Sequence, residues 1–321
     1  MDVPASELRA PALASRRSRR DRIGDIALSG LSGLASLFAL VLIGLIIYKV
    51  IDGAWPSIQQ FGLSFIWDST WDPNKNVFGA LDFIYGTALT SFVALLFAVP
   101  ISIGIGLYLT ELAPPGVRGI VGSLIEMLAA VPSVIIGLWG ILVLGPFVQK
   151  NLGPFLHDIL GWTPFFQGTP TTSGYLPAII VLTIMMIPIS SSVCRELFLT
   201  VPQDLKEGAY GLGLTRWEMV RGVVLPYTRG GVVGAMLLGL GRALGEAIAV
   251  TQVIGNITSH HISFFANGNT LASQIAAQYQ GAGSNLTTAS LFYLAFLLLM
   301  FVLIVNVSAQ IIVKRFELKQ G

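Results

Sequence analysis

The chain has 321 residues, of which 54% are hydrophobic and only 11% charged, and its mean hydropathy is +0.74. These proportions exclude a soluble globular domain, in which about 25% of residues are charged, and they predict a multi-pass membrane protein. The single cysteine, Cys194, excludes an internal disulfide and carries no information about the redox compartment.

Six apolar stretches are long enough to cross a bilayer, since a spanning helix needs roughly 20 apolar residues. None of the six carries a sustained run of charge, so the predicted fold is an all-α bundle of six transmembrane helices. The predicted spans lie near residues 26–51, 83–109, 119–147, 175–198, 231–255 and 286–313. The membrane domain is thus expected over residues 26–313, with polar tails at 1–25 and 314–321.

The two segments around the first span differ in character. Residues 1–25 are basic and lack apolar periodicity, which predicts a flexible tail able to touch anionic lipid. The loop at 52–82 is rich in aromatic residues. Two interpretations of it stay open, an interfacial belt or short re-entrant helix, and a docking surface for an external partner.

The second and third spans meet at a short hairpin, because Pro114 and Pro115 break the helix and Gly116 turns the chain. Further on, Pro132 leaves a backbone carbonyl without an amide partner in a membrane segment. We therefore expect Pro132 and Ser133 to face protein or a water-filled path. Glu126 has only small residues three and four positions away, so it is either protonated or reaches toward Arg242.

The central loop, residues 199–230, is a polar interruption between the fourth and fifth spans. Its first half is small and glycine-rich up to Gly213, which can adopt the left-handed backbone of a tight corner. Its second half has the apolar spacing of one helix face, and Pro226 is expected to end that helix. The residues of that face are Leu214, Trp217, Val220 and Val224. A helix–glycine turn–helix without a nucleophile, base or metal cluster is predicted to be a docking surface.

The fifth span carries the most costly residue of the chain. Arg242 lies about 15 Å along this span, and a charge at that depth almost always faces a partner or a cavity. Glu246 follows four residues later, where a continuous helix would place both side chains on one face. A structural ion pair and a role in moving an anion both stay open, and guanidinium matches phosphate well.

Smaller features receive structural interpretations. The serines at 190–192 in the fourth span are expected to allow close helix approach. The stretch NGNTLASQIAAQY before the last span is predicted to form a short amphipathic helix over the mouth of the bundle. His260 and His261 are expected to be solvated loop residues rather than metal ligands.

The predicted orientation follows from lysine and arginine, which favour the cytoplasmic side. The basic residues of the two tails, the hairpin and the central loop all fall on one side of the six spans. They include Arg16, Arg17, Arg19, Arg20, Arg118, Lys206, Arg216, Arg221, Lys314 and Arg315. Both termini and the central loop are therefore expected in the cytoplasm.

The central loop also resembles that of the inner-membrane permeases of ATP-binding cassette (ABC) importers, whose pattern is E-A-A, three residues, G, nine residues, I-x-L-P. Gly208 replaces the first alanine and Val223 the isoleucine, both conservative in size. The residues at that spacing are Glu207, Ala209, Gly213, Val223, Leu225 and Pro226. The stretches PISIGIGLYLTELAP, ExLAAVPSVIIGLWG and GRALGEA resemble the phosphate-specific branch, and within it the PstC-type subunit.

This resemblance implies a type I importer permease of the MetI-like fold in a bacterial inner membrane, working by alternating access. It implies a related second permease (PstA type), two ATPase subunits and an extracytoplasmic phosphate-binding protein as partners, with membrane lipid around the bundle and no nucleic acid. The loop residues implied to couple to the ATPases are Glu207, Ala209, Gly213, Leu225 and Pro226. The residues expected along the substrate path are Arg242, Glu246, Glu126, Pro132 and Ser133.

The chain has no G-x-x-x-x-G-K-[ST] phosphate-binding loop, so it is expected to bind no ATP itself and no cofactor, and not to be an enzyme. Two other functions stay open. One is an importer permease for a different oxyanion or an organic solute. The other is an intramembrane enzyme or channel, which would need a base and nucleophile at one depth, or would not need the docking loop.

Overall fold

The computed structural model of the chain describes residues 19–258 and 261–317, with side chains for 24–258 and 261–311. Most of the predicted N-terminal tail, His260 and residues 318–321 lie outside the described residues. The chain divides into two compact units, Met1–Lys49 and Val50–Gly321, with the boundary inside the first helix. All packing that positions the candidate site belongs to the second unit.

The described residues are predominantly helical. The α-helices are α1 (Arg19–Phe61), α2 (Ser64–Trp67), α3 (Leu81–Leu107), α4 (Pro115–Ala129), α5 (Ser133–Trp139), α6 (Gly145–Phe147), α7 (Gly153–Leu160), α8 (Tyr175–Leu199), α9 (Gln203–Gly211), α10 (Arg216–Met219), α11 (Leu225–Gly245), α12 (Ile248–Val253), α13 (Leu271–Gln278) and α14 (Asn285–Glu317). π-Helical segments lie at Tyr108–Leu112, Gly140–Leu144, Val148–Leu152 and Val220–Val224, and 3₁₀ turns at Pro164–Phe166 and Tyr279–Gly281. Strands β1 (Trp71–Asp72) and β2 (Val77–Phe78) pair antiparallel, with Trp71 opposite Phe78.

Within the described residues, six helical runs are long and apolar enough to cross a membrane, which confirms the predicted number. Two predicted boundaries are wrong. The third run is Ser133–Leu160 rather than 119–147, because the chain breaks at Pro132 and continues through two π-helical segments. The fifth run is Arg216–Gly245 rather than 231–255, since it begins in the central loop and ends before Glu246.

Helix α8 is the most buried of the spans and packs against both α3 and α11. Small residues make these approaches possible, as predicted for the serine run. Ser190 is fully buried, and a Cβ on Gly239 of α11 would lie 2.6 Å from its Oγ. The Ser190 hydroxyl donates to the Ala235 carbonyl oxygen at 3.4 Å, so this contact is both packed and hydrogen-bonded.

Part of the aromatic stretch at 52–82 packs into a cluster against the bundle, while Trp55 and Trp67 of the same stretch are exposed. Phe65 and Phe78 are buried, and Phe65 stacks on Tyr293 of α14 with ring centroids 4.3 Å apart. Trp71 contacts Phe83 of α3 edge-to-face at 5.2 Å. The aromatic rings therefore hold the loop against α3 and α14.

Helix α13 confirms the helix predicted in NGNTLASQIAAQY, but its first turn is buried between α3, α12 and α14 instead of covering a mouth. The Leu271 amide donates to Thr87 Oγ1 at 2.9 Å. At the position just before Thr87, a Cβ on Gly86 would clash with the Asn269 carbonyl oxygen. The absence of a side chain at Gly86 is what lets this segment seat on α3.

We expect Gly86→Ala to lower the stability of the isolated chain in detergent by about 1–3 kcal/mol, since overpacking a buried contact forces backbone shifts. Gly104→Ala on the same helix is the matched control, because nothing lies within 4 Å of its Cβ position. Thermal unfolding followed by circular dichroism measures both. Equal melting temperatures for the two variants would contradict the proposed close approach.

Candidate functional site: the central loop and two helix breaks

The first corner of the central loop is the predicted glycine turn. Helix α9 ends at Gly211, and Gly213 adopts a φ of 81° in the left-handed region. The Gly213 amide donates to the Tyr210 carbonyl oxygen at 2.9 Å. Nothing lies within 4 Å of a Cβ placed at Gly213, so glycine is required here for its backbone conformation and not for space.

The second helix starts at a capping box that the sequence analysis missed, although the signal T-x-x-E was present. The Thr215 Oγ1 accepts a hydrogen bond from the Glu218 amide at 3.3 Å, while the Glu218 carboxylate accepts from the Thr215 amide at 2.8 Å. This reciprocal pair fixes where α10 begins, directly after the glycine turn.

Pro226 does not end this helix, so the expectation that it would was wrong. The helix passes from α10 through the π-helical segment Val220–Val224 into α11, forming one run, Arg216–Gly245. In the π turn, the Leu225 amide donates to the Val220 carbonyl oxygen. Pro226 then falls in the first turn of α11, where its missing N–H costs little.

One face of the central loop is buried and the other is exposed. Ala209 packs with Met219, Val220 and Val224 in a cluster that also contains Phe198. Trp217 was predicted on that face, but this was wrong, since its side chain is 65% exposed. The π turn at Val220–Val224 widens the helix, so α-helical spacing no longer keeps Trp217 and Val224 on one face. Together with Glu207, Trp217 belongs to an exposed face that carries further apolar side chains: Leu205, Tyr210 and Leu212. Such an exposed apolar patch with polar neighbours is typical of a protein interface.

A buried ion pair ties α9 to the end of α3, and the sequence analysis did not predict it. The Lys206 ammonium lies 2.6 Å from the Glu111 carboxylate, and both side chains are about nine-tenths buried. The two residues are 95 positions apart. No local spacing rule could have joined them.

The chain breaks between α4 and α5 at the predicted proline. The amides of Ala130 and Val131 close the last turn of α4, and Pro132 is then extended, with a ψ of 136°. Its carbonyl oxygen accepts from the Ile135 amide at 3.0 Å and opens α5. Pro132 is exposed and Ser133 half-buried. Both residues thus stand at the start of the third spanning run and not in its middle.

A second break follows α11 and overturns the predicted pairing of Arg242 with Glu246. Helix α11 ends at Gly245, and Glu246 is extended, with a ψ of 112°. Four-residue spacing therefore no longer places the two side chains on one helix face. The Glu246 carboxylate instead accepts from the Ala249 amide at 3.2 Å, in the first turn of α12.

Arg242 is exposed on the surface of this chain, in the last turn of α11. No other described residue forms a hydrogen bond or ion pair with its guanidinium. Gly241 and Gly245 beside it have nothing within 4 Å of a Cβ position. A cation in an apolar span needs a partner or a cavity, and this surface leaves room for one.

The two breaks lie next to each other because α5 and α12 pack side by side. A Cβ on Gly137 would lie 2.8 Å from the Ala249 Cα, and one on Gly140 would lie 2.7 Å from Val253 Cγ1. The side-chain Nε2 of Gln252 donates to the Val134 carbonyl oxygen at 3.5 Å. The helices that begin after the two breaks, α5 and α12, are therefore neighbours.

Glu126 does not reach Arg242, contrary to one of the two expectations for it. It lies on α4, 3.9 Å from the Arg195 guanidinium of α8, and the same nitrogen is 3.6 Å from Glu196. The Glu126 side chain is largely exposed. Glu126 thus belongs to a separate charged group near the end of α8.

The comparisons with known proteins agree with this architecture. Residues 98–318 match the family described as "Binding-protein-dependent transport system inner membrane component". The chain is 42% identical over 286 residues to the "Phosphate transport system permease protein PstC" of Mesorhizobium japonicum, covering 88% of each chain. It is 44% identical over 285 residues to the protein of that name from Pasteurella multocida, covering 88% of this chain and 89% of the relative.

Solved structures show the same fold at lower identity. A bacterial alginate ABC transporter in complex with an alginate pentasaccharide-bound periplasmic protein matches with a TM-score of 0.57 at 20% identity, over 91% of this chain and 98% of that chain. An inward-facing MetNI methionine ABC transporter matches with a TM-score of 0.53 at 21% identity, over 72% and 93%. The fold is that of a MetI-like importer permease, and the chain belongs to the family of binding-protein-dependent transport system inner membrane components.

Proposed function

We propose that this chain is the permease subunit of an ATP-driven importer of inorganic phosphate and works by alternating access. The observation that carries the proposal is the unbroken helical run Arg216–Gly245. One end of that run lies in the exposed central loop, and the other carries Arg242 just before the break at Glu246. The names of the relatives, phosphate transport system permease proteins, supply the solute.

The exposed face of the central loop is the proposed ATPase contact. Glu207 and Trp217 are turned away from the bundle, while Ala209 anchors the loop in its cluster. Leu225 and Pro226 lie where the loop helix becomes the fifth span. ATP is hydrolysed in two separate ATPase subunits, whose closure moves the loop, and the run Arg216–Gly245 carries that movement into the membrane.

The surface around Arg242 is the proposed contact with a related second permease (PstA type) across the translocation path. A guanidinium exposed in a span is costly against lipid, whereas a facing subunit would enclose it in a polar path. There its planar donors can bind phosphate oxygens in pairs. The breaks at Pro132, Ser133 and Glu246 lie along the same path. The complex takes phosphate from an extracytoplasmic binding protein, and the central loop and both termini are cytoplasmic.

The direct test of the function is reconstitution of the purified complex in proteoliposomes, with the partner permease, ATPases and binding protein present. We expect radiolabelled phosphate to accumulate only with ATP, and excess unlabelled sulfate not to compete. ATP-dependent uptake of sulfate in place of phosphate would contradict the proposed solute.

Arg242→Ala should lower phosphate uptake at least roughly ten-fold, because a hydrogen bond to a charged group is worth about 1.5–3 kcal/mol. Assembly should survive, since the guanidinium forms no hydrogen bond or ion pair with the other described residues. Ile304→Ala is the control, an exposed apolar residue of a different spanning helix, α14. Wild-type uptake by Arg242→Ala would exclude the proposed role.

Glu246→Gln separates the charge of this residue from its capping contact. The amide oxygen of glutamine can still accept from the Ala249 amide, so the melting temperature should stay that of the wild type. We expect uptake to fall if the negative charge takes part in transport, whereas Glu246→Ala should lose stability as well. Unchanged uptake in Glu246→Gln would leave the residue only a structural role.

Gly213→Val should uncouple ATP hydrolysis from uptake. A left-handed backbone costs an L-residue about 1–2 kcal/mol, and a β-branched side chain more, so the corner would open and displace α10. Gly213→Asn is the control, because asparagine tolerates this conformation. The ratio of ATP hydrolysed to phosphate moved in proteoliposomes measures the effect, and equal ratios for the two variants would contradict the coupling role.

A further inference from the structure

A buried ion pair between Lys206 and Glu111 joins helix α9 of the central loop to the π-helical segment that continues α3. The Lys206 Nζ lies 2.6 Å from Glu111 Oε1, and the side chains are only 11% and 10% exposed. The same ammonium donates to the carbonyl oxygen of Phe198, in the last turn of α8, at 3.5 Å. The ammonium of one α9 residue thus contacts both the end of α8 and the π-helical segment that follows α3.

Lys206 points in the direction opposite to the proposed ATPase contact. It shares the buried face of α9 with Ala209, three residues later, while its neighbours Leu205 and Glu207 are exposed. Glu111 lies in the π-helical segment Tyr108–Leu112, which continues α3 toward its hairpin. π-Helical insertions in α-helices occur often at functional positions, and here the segment contains the carboxylate that holds Lys206.

The energetics of burial favour a role beyond adhesion. A buried ion pair loses the hydration of both groups, and well-packed apolar residues of similar volume often stabilise a protein as well or better. What an ion pair adds is direction, because a charge-assisted hydrogen bond of 2.6 Å fixes one donor against one acceptor. An apolar contact at the same place could slide.

We propose that the Lys206–Glu111 pair transmits the movement of the central loop to the second span. The loop already has one continuous connection, through α10 and α11 to the fifth span. The ion pair supplies the other, from α9 to α3, so that both spans follow the loop as it moves. Lys206 and Glu111 are positioning residues in this scheme and contact neither phosphate nor ATP. The inference rests on the proposed function of the central loop.

The test compares the reconstituted complex with a double variant, Lys206→Met with Glu111→Leu, which replaces the pair by apolar contact. We expect its melting temperature to match the wild type, while the ATP hydrolysed per phosphate moved rises roughly five-fold, the low end of common coupling effects. Lys75→Met is the matched control. It breaks an exposed ion pair with Asp72 at 3.3 Å, in which Lys75 is 79% exposed, and should leave the ratio unchanged.

A complex of wild-type stability and wild-type ratio would overturn the proposal and leave the pair a structural role. If the apolar variant does not assemble, the same ratio is measured in a complex with the ion pair reversed, Lys206→Glu together with Glu111→Lys. Restored coupling in the reversed pair supports transmission, and an assembled but uncoupled complex overturns it. The wild-type complex separates the two hypotheses, since failure of its own ATP-dependent uptake would contradict the proposed function itself.

Discussion

The continuous helical run from Arg216 to Gly245 is the constraint on which the rest of this structure depends. A helix transmits displacement along its axis as long as it does not kink or break. Pro226 has no N–H, so one backbone hydrogen bond is missing there, but the π-helical segment just before it lets the helix continue past this position. A run of this length measures about 45 Å at 1.5 Å per residue. The second half of the central loop, from Arg216 onward, and Arg242 are therefore parts of one helical element.

The helical backbone is broken at both ends of this element. At one end, Gly213 turns the chain by a left-handed residue, and the capping box of Thr215 and Glu218 restarts the helix. At the other, Glu246 leaves the helix and caps α12, which packs beside α5 and the break at Pro132. Rigid elements that end at defined breaks are suited to hinge and rocking movements, and a broken helix is the usual way in which membrane transporters build a solute path.

The sequence was sufficient for features set by local composition. Six spans followed from apolar length, the corner at Gly213 from the need for a left-handed residue, and the break at Pro132 from a missing amide. Each of these depends on a residue and its immediate neighbours. The family pattern of the central loop added its proposed role, and the packing of Ala209 against Met219 is consistent with it.

The predictions that were wrong or missing concern positions where a distant contact or a competing local structure decides the geometry, and not the sequence rule that was applied. Pro226 was expected to end a helix because proline usually does. The π-helical segment before it instead runs directly into α11, and the helix continues through Pro226. Arg242 and Glu246 were paired on the assumption of an unbroken helix, and the break at Glu246 removes that geometry. The Lys206–Glu111 contact joins residues 95 positions apart, so only the three-dimensional packing of α3, α8 and α9 could reveal it.

The most direct test of the central claim is a pair of spin-label distances in the complete complex, with and without ATP. Labels at Arg221 and Leu238 lie within the helical element, and a label at Ile262 lies in the loop beyond α12. We predict that the Arg221–Leu238 distance stays the same in both states, while the Arg221–Ile262 distance shifts. A change in the Arg221–Leu238 distance beyond the width of its distribution would show that the run bends at the π-helical segment and would contradict the account.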